Sequence, residues 1–110
     1  MRQLLIDELG PEDVAAVIRF LRANAIESGI EGLYWVELTE DLLDPGQFEI
    51  KSDQPFCFAV ELGDSWVKFE LLIRSRNNMR SSETRYASRI QQEFVLEYCD
   101  RIIGELGLRT

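Results

Sequence analysis

The chain reads as an α+β domain. It is a two-layer sandwich in which an antiparallel sheet of three to four strands is flanked by an N-terminal helix and a long C-terminal helix, in the order α-β-β-β-β-α. Three observations predict it. Val14, Val17, Ile18, Leu21 and Ala25 recur at helical spacing near the start. From Phe56 to Ile73 apolar and polar residues alternate on either side of Gly63-Asp64. Beyond Ser82 an apolar stripe again follows the helical period. With 110 residues and no linker, repeat or low-complexity tract, residues 1–110 form a single domain.

The first helix has a clear start. Gly10 takes the N-cap and Pro11 the first helical position, where its missing N–H costs nothing. Glu12 and Asp13 complement the positive end of the helix dipole. Gly29 offers the left-handed residue that stops the helix. A strand from Leu33 to Leu38 follows, with Tyr34, Val36 and Leu38 on one side and Leu33, Trp35 and Glu37 on the other. Thr39 caps a single turn through Leu43. Asp44-Pro45-Gly46 then forms a tight turn into a short strand, Gln47 to Lys51, which Asp53-Gln54-Pro55 breaks.

In the main hairpin, Phe56, Phe58, Val60, Leu62, Val67, Phe69, Leu71 and Ile73 make the core face. Core residues must oppose core residues across the strands. A two-residue turn at Gly63-Asp64 does this by pairing Val60 with Val67, Phe58 with Phe69 and Phe56 with Leu71. Glycine at the first turn position implies type II′ and a positive φ at Gly63. Phe58 and Phe69 are expected as a cross-strand pair beneath Phe94. Ser75 to Ser82 is a polar loop, and Ser81 or Ser82 caps a helix of about 25 residues that ends near Leu106. Its stripe is Ala87, Phe94, Val95, Tyr98, Ile102 and Leu106. Tyr86 and Ile90 widen it at one end, and Cys99 and Ile103 on the opposite flank at the other. The apolar surface therefore rotates along the helix, so its far half is expected to meet something besides one flat sheet.

Several function classes are disfavoured. The net charge of −8 repels phosphate backbones, so no nucleic acid is expected as a partner. The chain has no histidine, the commonest general base and metal ligand. No glycine-rich phosphate loop occurs, and no catalytic, cofactor or metal site is expected. The opening apolar run is only three residues long, and no stretch approaches a membrane span of roughly 20, so a soluble cytoplasmic protein without membrane contact is expected. Cys57 and Cys99 fit no metal or redox spacing and read as buried thiols, with a disulfide between them left open.

Two surfaces remain as candidates. The outer sheet face carries Trp35, Trp66 and Leu72 beside Leu33, Cys57 and Ala59, too apolar for an ordinary wet face. Either a protein partner covers it or a helix or loop of this chain does. Arg74, Arg76, Arg80, Arg85 and Arg89 fall in a stretch with one acid, Glu83. With Ser81 and Ser82 at a helix start, Arg74, Arg76 and Arg80 suit an anion; alternatively the arginines pair with acids of the first half. Residues 1–64 hold 14 acids and 4 bases, and residues 65–110 hold 6 acids and 8 bases, so one surface can be basic on an acidic molecule.

In size, acidity and element order the chain resembles the small secretion chaperones, in which terminal helices surround a twisted antiparallel sheet. It departs from them where Thr39 to Leu43 supplies one turn instead of a full helix between strand groups. The resemblance implies a dimer that holds another protein. The reading is a non-enzymatic, chaperone-like interaction module, a homodimer that binds a protein partner of unknown identity through Trp35, Trp66 and Leu72 with an arginine rim. The alternative is a small anion- or nucleotide-responsive regulator built on the loop from Arg74 to Arg80.

Overall fold

A computed structural model of the chain describes residues 3–78 and 80–108. The fold is α+β, three helices on a seven-stranded antiparallel sheet. In chain order the elements are β1 (Gln3–Ile6), α1 (Pro11–Asn24), β2 (Ile26–Glu27), β3 (Leu33–Glu37), α2 (Pro45–Glu49), β4 (Phe56–Leu62), β5 (Val67–Glu70), β6 (Leu72–Ser75), β7 (Arg85–Tyr86) and α3 (Arg89–Leu106). The strands run β1-β5-β4-β3-β2, with β6 on β4 and β7 on β6. Strands β1, β2 and β7 exceed the three or four expected. Each has two to four residues, too few to display an alternation of their own.

Helix α1 starts as expected, with Gly10 at the N-cap and Pro11 in the first turn. It stops at Asn24, short of Gly29. Ala25 N–H closes on Leu21 O, the Asn24 amide donates to Phe20 O at 2.9 Å, and Ile26 then pairs with Trp35. Gly29 does take a positive φ of 90°, but within the turn between β2 and β3.

The expected strand Gln47–Lys51 is instead part of a helical connection. Asp44 caps α2, accepting from Gln47 N–H at 3.1 Å, while the Gln47 side chain accepts from Asp44 N–H. Asp-Pro read as a turn because both residues also suit the first positions of a helix. Single 3₁₀ turns at Glu40–Leu42 and Lys51–Asp53 flank α2. Thr39 precedes the first of these, though its hydroxyl donates to Asp41 Oδ1 instead of accepting from the backbone.

The hairpin keeps its expected faces but shifts its register. Val60 opposes Phe69 and Leu62 opposes Val67, leaving Gly63 to Trp66 as a four-residue loop closed by Gly63 N–H to Trp66 O at 2.9 Å. Gly63 does not adopt a positive φ. A slip of two residues preserves the side-chain period, so core matching excludes odd loops without choosing between two residues and four. The second strand also breaks at Leu71. Phe69 lies opposite Val60 and Arg74 opposite Cys57, so five steps on one strand span three on the other. Phe58 thus sits beside this break and is not paired with Phe69. Both rings are fully buried all the same, and Phe58 meets Phe94 and Tyr98 edge-on, with centroids 6.2 and 5.8 Å away.

Helix α3 begins at Arg89, capped by Ser88 and not by Ser81 or Ser82. Two competing contacts shorten it. Ser81 is buried and donates to Asp53 Oδ2 at 2.5 Å, and Arg85–Tyr86 pairs with Leu72–Ile73. The helix ends in a left-handed residue, Gly107, with its N–H and that of Leu108 both directed at Ile103 O. Helices α1 and α3 lie against the core face, and Phe20 meets Tyr98 edge-on at 6.1 Å. The rotating stripe is explained by β1: Cys99 and Ile103 line a groove with Leu4, Leu5 and Ile6. Among the described residues no helix is long and apolar enough to cross a membrane.

Candidate functional site

On the sheet face away from α1 and α3, the alternation of β3 and β4 places Trp35, Cys57 and Ala59 together, with Trp35 directly opposite Ala59. Cys57 and Ala59 are buried although neither helix lies over them. The shifted register sets Arg74, which alternation already puts on this face, directly opposite Cys57. The result is a pocket of about 120 Å³ lined by Trp35, Cys57, Arg74, Ser75, Arg76 and Thr84.

The predicted apolar and arginine surfaces therefore meet in one place, though not with every residue predicted for them. Trp66 lies in the β4–β5 loop with its indole against Gly63, and Leu72 pairs with Tyr86. Neither lines the pocket, and nor do Arg80, Ser81 or Ser82. Arg80 is exposed, with its backbone N–H on Asn78 Oδ1 at 3.1 Å. Ser81 is occupied by Asp53, and Ser82 is exposed. With the cap at Ser88, none of these three stands at a helix N-terminus.

The arginines are largely matched by acids. Arg74 Nη2 meets Glu70 at 3.0 Å, and Arg76 approaches Glu37 at 3.8 Å. Arg85 contacts Glu83 at 2.6 Å and Asp44 at 3.9 Å, and Arg89 contacts Glu93 at 3.6 Å. Glu37 and Asp44 belong to the first half of the chain, whereas Glu70, Glu83 and Glu93 are local. One donor is left over: Arg74 Nε is buried and has no hydrogen-bond partner among the described residues. The pocket thus combines an indole, two guanidinium groups and a threonine side chain.

Cys57 and Cys99 are both buried and free, so the open disulfide question is resolved against a bond. Burial pushes the Cys57 thiol up to about 12, against the opposing pull of Arg76 and Arg74. Burial likewise raises Cys99 to about 11, with a smaller contribution from Asp100. The Cys57 thiol donates weakly to Arg74 O at 3.6 Å. A thiol held protonated in this way is a poor nucleophile.

Thr84 carried no signal in the sequence, because its position depends on β7, and a two-residue strand has no pattern to read. Cys57 was legible as an outer-face residue; its closeness to Arg74 was not, because that follows from the break at Leu71. A second surface lies across the molecule. Leu5, 54% exposed on β1, and Leu96, 49% exposed on α3, line one groove with Leu4 and Ile103. Comparison with family models, curated proteins and solved structures gives no significant match.

Proposed function

We propose that the chain is a non-enzymatic protein-interaction module that engages its partner through the outer face around Trp35, with Arg74 and Arg76 as the charged rim. The observation that carries this reading is the shared pocket, where an aromatic anchor and two guanidinium groups converge on an otherwise acidic protein. Tryptophan and arginine are the residue types that most often dominate interface energies. The absence of histidine and the protonated state of Cys57 and Cys99 support a binding role over catalysis. The test is paired capture from the source lysate. A partner held by the wild type should be lost with Trp35→Ala and with Thr84→Phe, which fills the pocket from its rim. Equal capture by folded variants overturns the reading.

The module works as a homodimer in this proposal, and a different observation supports that part. Strand β1 is the edge of the sheet, so half of its backbone groups face outward, and the apolar groove of Leu5 and Leu96 runs beside it. A second copy fits this edge, because antiparallel pairing of β1 with its counterpart is self-complementary about a two-fold axis. Sedimentation at tens of micromolar should give a dimer, and Leu96→Glu a monomer. A wild-type monomer removes the dimer from the proposal. The anion-responsive alternative is not retained as a regulator, since Arg80, Ser81 and Ser82 do not join Arg74 and Arg76.

A further inference from the structure

We infer that the free flank of α3 seats the α3 of a second copy, antiparallel about a two-fold axis at Leu96, with each Arg89 shared between its own Glu93 and Asp100 of the second copy; this rests on the dimer part of the reading above. Helix α3 has one side occupied and one free. Tyr98 on its occupied side meets Phe20 of α1. The other flank overhangs the sheet edge formed by β1. Leu96 stands exposed in the middle of that flank. On one side of it a groove is lined by Arg89, Gln92 and Glu93, and on the other by Cys99 and Ile103. Arg89 and Ile103 each lie two helical turns from Leu96. The stripe is thus symmetric in position about Leu96, as a two-fold contact of the helix with itself requires.

Direction and charge select the occupant. The groove at Arg89 reaches Leu4 and Leu71, and the groove at Ile103 reaches Asp7, so α3 and β1 run in the same sense. Antiparallel pairing of β1 with its counterpart therefore brings two antiparallel α3 helices together beside the joined edges. Turned about Leu96, Arg89 faces Ile103 of the second copy, and Gln92 faces its Asp100. Asp100 lies one turn beyond Leu96 on the same flank. Its neighbour Arg101 is taken by Glu105 at 3.2 Å, which leaves Asp100 no cation on its own helix. Arg89 has a single exposed contact, to Glu93 at 3.6 Å. In the pair, Glu93 and Asp100 of the second copy approach each other, and Arg89 bridges the two carboxylates. A parallel pairing would set Arg89 on Arg89 and Asp100 on Asp100, so charge opposes it.

Sedimentation equilibrium of the full chain tests this with the wild type, Arg89→Glu, and Arg89→Glu combined with Asp100→Arg. Arg89→Glu leaves three carboxylates at each of two symmetric contacts and should weaken the dimer by about tenfold or more. Adding Asp100→Arg returns a cation to each contact and should restore the affinity to within about threefold of wild type. An acid in the first turn suits α3, so circular dichroism should show both variants folded. The axis is read separately. Leu96→Cys should cross-link to a dimer under copper-phenanthroline oxidation, and Glu97→Cys, turned off the axis, should not. A dimer indifferent to Arg89→Glu, a loss that Asp100→Arg does not restore, or no cross-link at position 96 overturns this inference and leaves a dimer of another geometry. A wild-type monomer at tens of micromolar overturns the dimer part of the proposed function, and this inference with it.

Discussion

Gln91 Nε2 donates to Gln47 Oε1 at 2.9 Å, and both side chains are fully buried. Each glutamine is the third residue of its helix and closes a capping box, Gln47 with Asp44 and Gln91 with Ser88. The remaining amide capacity is also used: Gln91 Nε2 reaches Leu42 O at 2.9 Å, and Gln47 Nε2 reaches Glu83 O at 3.1 Å. Two helix starts that are 44 residues apart are thereby tied together inside the protein. The tie also holds the loop that ends in Thr84, one wall of the pocket.

Gln91→Ala should therefore destabilise the domain by about 2–4 kcal/mol, because it removes the partner of the buried Gln47 amide oxygen and of the half-buried Leu42 carbonyl, together with the capping box at Ser88. Gln91→Glu should be worse, since it sets an acceptor against the acceptors of Gln47 and Leu42. Urea melts will read both. A loss under about 0.5 kcal/mol for Gln91→Ala would mean that water replaces the network at little cost.

Asp53 organises the other side of the same loop. Its carboxylate accepts from Asn78 at 3.1 Å and from Ser81 at 2.5 Å, and its carbonyl accepts from Ser75. Asp53→Ala should cost about 2–3 kcal/mol and release protection of amides from Ser81 to Thr84 in hydrogen exchange. Unchanged protection would show that β7 alone holds the loop.

The two thiols make stability depend on pH in a stated direction. Both hold their protons more tightly when folded, Cys57 at about 12 and Cys99 at about 11, against 9.0 for an ordinary thiol. Their contribution is intact below about pH 9 and is lost as pH rises through the folded values. At about 1.4 kcal/mol per pH unit for each thiol, the wild type should lose about 2–3 kcal/mol more than a Cys57→Ala, Cys99→Ala double variant between about pH 9 and 10.5. Parallel pH profiles for the two proteins would contradict the burial of the thiols.

The β4–β5 loop offers a local test. A Cβ at Gly63 would lie 2.2 Å from the Trp66 ring, so Gly63→Ala must displace the indole. The expected signature is a red-shifted tryptophan emission with about 1–2 kcal/mol of destabilisation. Emission unchanged from wild type would place the ring elsewhere.

The fold class, the start of α1, the face assignment of β3 to β5 and the end of α3 near Leu106 were legible in the residues. Each rests on a signal carried by neighbours in sequence: proline after a cap, alternation over several residues, or an apolar stripe of helical period. The helical connection at Pro45–Glu49 was not, because Asp-Pro-Gly suits a turn and a helix start equally, and Gln91 from the far end of the chain completes the choice. The true cap of α3 was hidden for the same reason. Ser81 and Ser82 are as good caps as Ser88 until Asp53 claims Ser81 and Leu72–Ile73 claims Arg85–Tyr86. The candidate site divides the same way. Trp35 and the arginines stood out by type and position, whereas their meeting depends on a two-residue slip and a break at Leu71. Both preserve the inside-outside alternation, which is all that local sequence encodes about a strand, so the choice falls to long-range packing.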